Sequence, residues 1–139
     1  MLRVVLDANV YVSALIRSQG PPGQIVKRFL ENACEIVLSP AIVEETARAF
    51  AYPKVRKYIR AAVDPQLWFE DVMLLAQLVA GEDELQDVSA DPDDDKYFAA
   101  AMEGSATLIV TGDPGFPTWL RTQAPNVLPH RVIVAPALG

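Results

Sequence analysis

The sequence predicts an α/β protein: a parallel sheet with helices covering both of its faces. Two features carry that prediction. Short apolar runs rich in β-branched residues recur along the chain, and between them lie longer segments with apolar residues at helical spacing. Strands alternating with helices at such intervals build a parallel sheet covered on both faces. The 139 residues, 51% hydrophobic and 22% charged, suit one ordered domain spanning 1–139, with no internal repeat or low-complexity linker.

Taken in order, Leu2–Leu6 reads as a buried strand. Gly20-Pro21-Pro22-Gly23 is a loop that starts a helix, with Ile25, Val26, Phe29, Leu30 and Ala33 along one face. Glu35–Leu38 is a second strand. Ser39 then supplies a cap oxygen and Pro40 fills the first helical position, where no N–H is needed, opening a helix to about Ala51. Pro53 interrupts, and Lys54–Val63 is predicted helical. Asp64-Pro65 repeats the cap-and-proline start, leading into an apolar face of Leu67, Trp68, Val72, Leu75, Leu78 and Val79. Leu85–Val88 is predicted as a weak edge strand. Asp91-Pro92 opens a helix carrying Tyr97, Phe98, Ala101 and Met102, and Thr107–Val110 and Val132–Val134 are the last strands.

No apolar run approaches the ~20 residues that cross a bilayer, and the segment before Asp7 is too short for a signal peptide. No membrane partner is expected. Cys34 is the single cysteine, so no internal disulfide forms, as expected in a reducing cytoplasm; its apolar neighbours suggest a buried small hydrophobe rather than a nucleophile. His130, beside Pro129, has no second His or Cys to make a zinc site and suits a surface or capping role.

The net charge of −6 argues against a protein that coats nucleic acid. The charges fall in blocks, however. Eight of the eighteen acids lie between Glu82 and Asp95, whereas Thr46–Val63 holds five basic residues, Arg48, Lys54, Arg56, Lys57 and Arg60, and no acid. Separate blocks suit a cation held in one place and a polyanion in another, although the basic block by itself reads equally as a solvated face.

In open parallel sheets the site forms at the carboxyl ends of the strands. The first strand ends in Asp7-Ala8-Asn9, and the Thr107–Val110 strand in Thr111-Gly112-Asp113. An aspartate after a strand is often only a helix cap, but two such strands deliver one each at the same end of the sheet. In the Asp91-Pro92-Asp93-Asp94-Asp95 run, Asp91 is the natural cap and Asp93 suits the first turn. Asp94 precedes Tyr97, Phe98 and Ala101 by three, four and seven residues, which points it along the core face, while Asp95 is turned away. An inward carboxylate is costly unless paired or bound to metal. On the Ser39-capped helix, Glu44 has Arg48 four residues on, an ordinary exposed pair. Glu45 lies near Ala41, Ile42 and Ala49, which leave room for an inward carboxylate; the helical wheel does not settle the choice, and Glu45 is preferred.

Asp7, Glu45, Asp94 and Asp113 then form an acidic pocket without His or Cys. Converging carboxylates take up protons unless a cation neutralises them. All-oxygen ligands select Mg²⁺ or Mn²⁺, which clamp phosphoryl oxygens and activate water against a phosphodiester.

These residues, in this order, resemble the PIN-domain family, the toxin nucleases of prokaryotic toxin–antitoxin pairs and their relatives. The matching pieces are Val4-Val5-Leu6-Asp7-Ala8-Asn9-Val10, Ser39-Pro40 leading to Glu45, Asp91-Pro92-Asp93-Asp94-Asp95-Lys96, and Ile109-Val110-Thr111-Gly112-Asp113. No single motif is specific; the ordered set is. The resemblance implies a three-layer α/β/α sandwich on a parallel sheet of about five strands, together with Mg²⁺- or Mn²⁺-dependent cleavage of RNA, frequent homodimers, and often inhibition by an antitoxin. Carried over by position, Asp7, Glu45, Asp94 and Asp113 match the acidic quartet, Asn9 and Thr111 its accompanying polar positions, and Asp91 an outer acid. The overall acidity departs from what a nuclease needs to attract a polyanion; the metal and Arg48, Lys54, Arg56, Lys57 and Arg60 are the compensating charges. Apolar stripes between Val10 and Phe29 offer a dimer face. Two alternatives stand beside this one: a phosphatase with Asp7 as nucleophile, disfavoured because Asn9 stands where its acid/base aspartate belongs, and a non-catalytic PIN-like scaffold, disfavoured because no acid of the quartet is missing.

Overall fold

Strand β1 (Arg3–Leu6) lies at the centre of a five-stranded parallel sheet, between β2 (Glu35–Leu38) and β4 (Leu108–Thr111). The computed structural model describes residues 2–82, 95–106 and 108–111, and the backbone of 131–134. β3 (Gln77–Leu78) and β5 (Arg131–Val134) are the edges, giving the order β3-β2-β1-β4-β5. Val4 pairs with Ile36 on one side and Leu108 on the other, and Leu6 pairs with Val110. The Asp7 N–H donates to Val110 O at 3.1 Å, carrying the ladder one residue past β1. Val5, Leu6, Ile36, Val37, Leu38 and Ile109 are fully buried, so both faces of the sheet are covered and the molecule is a three-layer α/β/α sandwich.

Local chemistry starts the helices. Asp7 caps α1 (Ala8–Ile16), its Oδ1 accepting the Val10 N–H at 3.1 Å. Gly20 precedes α2 (Pro21–Leu30), so the Gly20–Gly23 loop is already helical from Pro21. Ser39 Oγ accepts the Ile42 N–H at 3.4 Å at the start of α3 (Pro40–Ala51). Asp64 Oδ1 accepts from Gln66 N at 2.9 Å and Leu67 N at 3.4 Å to start α5 (Pro65–Leu75). α1 packs against α2 and α3, while α6 (Asp95–Glu103) lies across β1, β2 and β4.

Several expectations are corrected. The predicted helix over Lys54–Val63 is only α4 (Pro53–Arg56), followed by turns. No residue of α4 is buried, and without a packed face so short a helix is not sustained. On α5 the buried residues are Phe69 and Val72, whereas Leu67 and Leu75 are 60% and 56% exposed. Phe69 sets that register, since its ring meets the edges of Tyr11 and Phe50 with centroids 5.0 and 6.0 Å away. Leu78 belongs to the edge strand and is exposed. Of the apolar stripes between Val10 and Phe29, expected to offer a dimer face, Val10, Tyr11, Val12, Ala14, Val26 and Phe29 lie in the core, while Leu15, Ile16 and Ile25 are only partly buried. Cys34 is half-buried against that core. The Leu85–Val88 strand, the Asp91-Pro92 helix start, Thr107 and His130 lie outside the described residues. No helix among the described residues is long and apolar enough to cross a membrane.

Candidate active site

The chain leaves β1 toward β2 but leaves β4 toward β5, so the carboxyl ends of β1 and β4 bound the crevice where the connections diverge. Asp7 follows β1 there, and Thr111 ends β4. The Thr111 hydroxyl donates to Asp7 Oδ2, while Oδ1 serves as the α1 cap. Cap and candidate site aspartate are thus one residue. Asp7 is 5% exposed, and burial pushes its carboxyl above the usual range. Hydrogen bonds from Thr111 and the Val10 and Asn9 backbone work against that rise, and the nearby Glu45 charge adds to it. Asn9 itself sits exposed in the first turn of α1 and contributes through its N–H.

Glu45, on α3, is turned to the same place. Its Oε2 accepts from the Tyr97 hydroxyl and forms an ion pair with Lys96 Nζ at 3.1 Å. The Lys96 side chain is only 18% exposed. Glu44 points to solvent and pairs with Arg48 at 2.9 Å. Tyr97, buried on α6, also accepts the Ala8 N–H at 3.2 Å, so one phenol joins α1, α3 and α6. Burial, then the bond to Glu45, push that phenol well above the usual tyrosine range. Tyr11 is fully buried, its hydroxyl has no hydrogen-bond partner among the described residues, and burial and the Asp7 charge push it up as well.

Asp95 differs from expectation. It is half-buried, with Oδ1 shielded from solvent, rather than turned away. Residues Tyr97 to Ala101 of α6 are all buried, so this helix has little outward face and the helical wheel loses its power to discriminate. Asp91, Asp94 and Asp113 lie outside the described residues. Asp7, Glu45 and Thr111 are therefore the predicted site residues that the structure brings together, and no group of three or more acidic, His or Cys side chains is gathered among the described residues.

Lys54, Arg56, Lys57 and Arg60 are exposed, with Lys57 Nζ 5.1 Å from the Tyr58 ring centroid. They follow the end of α3 at Ala51, which lies about 9 Å beyond Glu45 along the helix axis at ~1.5 Å per residue. Tyr97, Lys96 and Tyr11 were not among the predicted site residues. A signal was present in Tyr97: a phenol on a core-facing helix position needs a partner for its hydroxyl.

Two neighbouring carboxylates, one of them desolvated, fit a hard divalent cation, whose charge would offset both the burial and the mutual repulsion.

Residues 3–114 match the PIN domain family. The chain is 32% identical over 112 residues to the uncharacterized protein MJ1680 of Methanocaldococcus jannaschii, covering 81% of this chain and 71% of that one. Among solved structures it is similar in fold to the VapBC2 complex of Rickettsia felis bound to a DNA fragment from its promoter, with a TM-score of 0.56, 11% identity, and coverage of 94% and 97% of the two chains. By the extent of the family match and by the relative it shares most of its length with, this chain belongs to the PIN-domain family.

Proposed function

We propose that the protein is a Mg²⁺- or Mn²⁺-dependent endoribonuclease, the toxin of a toxin–antitoxin pair, with Asp7, Glu45, Asp94 and Asp113 as its metal-holding acids. The observation that supports this most is the meeting of Asp7 and Glu45, from separate elements, at the strand switch point. A bound divalent cation supplies charge neutralisation and an activated water for phosphodiester hydrolysis. The chain's own residues prepare for it: Thr111 and the α1 N-terminus orient Asp7, and Tyr97 and Lys96 orient Glu45. Asn9 and Asp91 are assigned supporting roles around them. The partners proposed are an RNA substrate, a cognate antitoxin and a second copy of the chain. Exposed Leu67, Leu74 and Leu75 on α5 offer apolar surface for the protein contacts. The test is incubation of purified protein with a panel of RNAs, with Mg²⁺, with Mn²⁺ and with chelator. Internal cleavage is expected with either metal, none with chelator, and none in Asp7→Asn. Metal-independent cleavage, or cleavage retained in Asp7→Asn, contradicts the assignment.

A further inference from the structure

Tyr97 stands apart from the other buried aromatics because its hydroxyl is engaged from two sides. Its oxygen accepts the Ala8 N–H at 3.2 Å, and its proton is directed at Glu45 Oε2. Ala8 is the first residue of α1, whose early N–H groups lack partners within the helix. Asp7 satisfies Val10 of the same turn. The phenol is therefore anchored to the peptide next to Asp7 and passes that anchor on to Glu45. Neither carboxylate reaches the other by a direct bond, since both are acceptors only when ionised. Lys96 Nζ takes the same Glu45 oxygen at 3.1 Å, so the two protein donors converge on Oε2. Tyr97 as a whole is 4% exposed and held in the core, which leaves the hydroxyl little freedom to wander.

We infer that Tyr97 is a positioning residue: its hydroxyl fixes Glu45 against the first turn of α1 and so sets the spacing of Glu45 and Asp7 around the cation. This rests on the metal site proposed above. Removing a hydrogen bond to a metal-holding carboxylate weakens metal affinity by roughly 10- to 100-fold in known sites.

The test is a double-mutant cycle on Mn²⁺ affinity, measured by calorimetry, with wild type, Tyr97→Phe, Glu45→Gln and the double variant. Phenylalanine keeps the buried ring, and circular dichroism at 10 °C establishes that each variant is folded. Tyr97→Phe is expected to weaken Mn²⁺ binding about 10-fold in the wild-type background and less than about 2-fold in the Glu45→Gln background, because its effect runs through Glu45. At saturating Mn²⁺ the Tyr97→Phe protein regains RNA cleavage, since Glu45 is intact. Equal weakening in both backgrounds shows that Tyr97 merely supports the fold, and an unchanged affinity in Tyr97→Phe shows that it does not position Glu45; either overturns the inference. Failure of the wild type itself to bind Mn²⁺ is distinguishable from both, and overturns the metal site and this inference together.

Discussion

Burial disfavours the ionised form of Asp7 more than its hydrogen bonds favour it, which leaves its folded-state pKa raised. The sign of the consequence follows from linkage. A carboxyl with a raised folded pKa contributes stability that is fully present below its unfolded value and lost as pH rises through the folded value. Metal-free protein should therefore lose stability as pH climbs out of the carboxylate range. Asp7→Asn removes that loss and still caps α1, because Asn caps as well as Asp. Without metal at pH 7 the variant is expected to melt a few degrees higher than wild type, with the gap closing as pH falls toward ~4. Thermal melts in chelator across that range check it; a variant that melts lower at pH 7 shows that the hydrogen bonds outweigh desolvation. Thr111→Val tests the opposite contribution at nearly constant shape. Loss of the hydroxyl that donates to Asp7 should cost about 1–3 kcal/mol at neutral pH in urea unfolding, since a buried carboxylate then loses a charge-assisted bond. No cost would mean that the bond adds nothing to the ionised state.

At the scale of elements, what was legible in the sequence was what is decided locally. Ser39-Pro40 and Asp64-Pro65 open helices where the cap chemistry says, because a cap oxygen and its N–H lie within three residues of each other. The strand Glu35–Leu38 is equally local. What failed depended on distant partners. The face of α5 is chosen by Phe69 meeting Tyr11 and Phe50 from two other helices. Lys54–Val63 has helical residues but buries none of them fully. Of the candidate site, the placing of Asp7 at a strand end was readable, and the small neighbours of Glu45 favoured its inward turn over Glu44 without settling it. The tie through Tyr97 was not, because it joins positions 8, 45 and 97, and Asp95 was misread because α6 is buried almost all round. The exposed cap gives a clean elemental test. Asp64→Ala should cost about 1 kcal/mol of stability with metal binding unchanged, because its two N–H bonds serve α5 alone. A change in metal affinity would show that α5 and the site are coupled.

For the whole molecule, a net charge of −6 must be reconciled with the polyanionic substrate proposed for it. Charge separation along the chain is the proposed answer: Asp7 and Glu45 meet at the strand switch point, where a cation would sit, and the basic residues after α3 stay exposed. Neutralising Lys54, Arg56, Lys57 and Arg60 together is expected to weaken RNA binding and flatten its salt dependence by as many phosphate contacts as are lost. Binding that keeps its salt slope would reduce the block to a solvated face. The central claim is that Asp7 and Glu45 form part of a divalent-cation site, and a cation that binds only the folded protein raises its melting temperature by mass action. The most direct measurement is therefore the Tm of wild type and Asp7→Asn across a Mn²⁺ titration. The site predicts a Tm that climbs with Mn²⁺ in wild type and stays flat in Asp7→Asn; a flat wild-type curve, or the same climb in both, would contradict it.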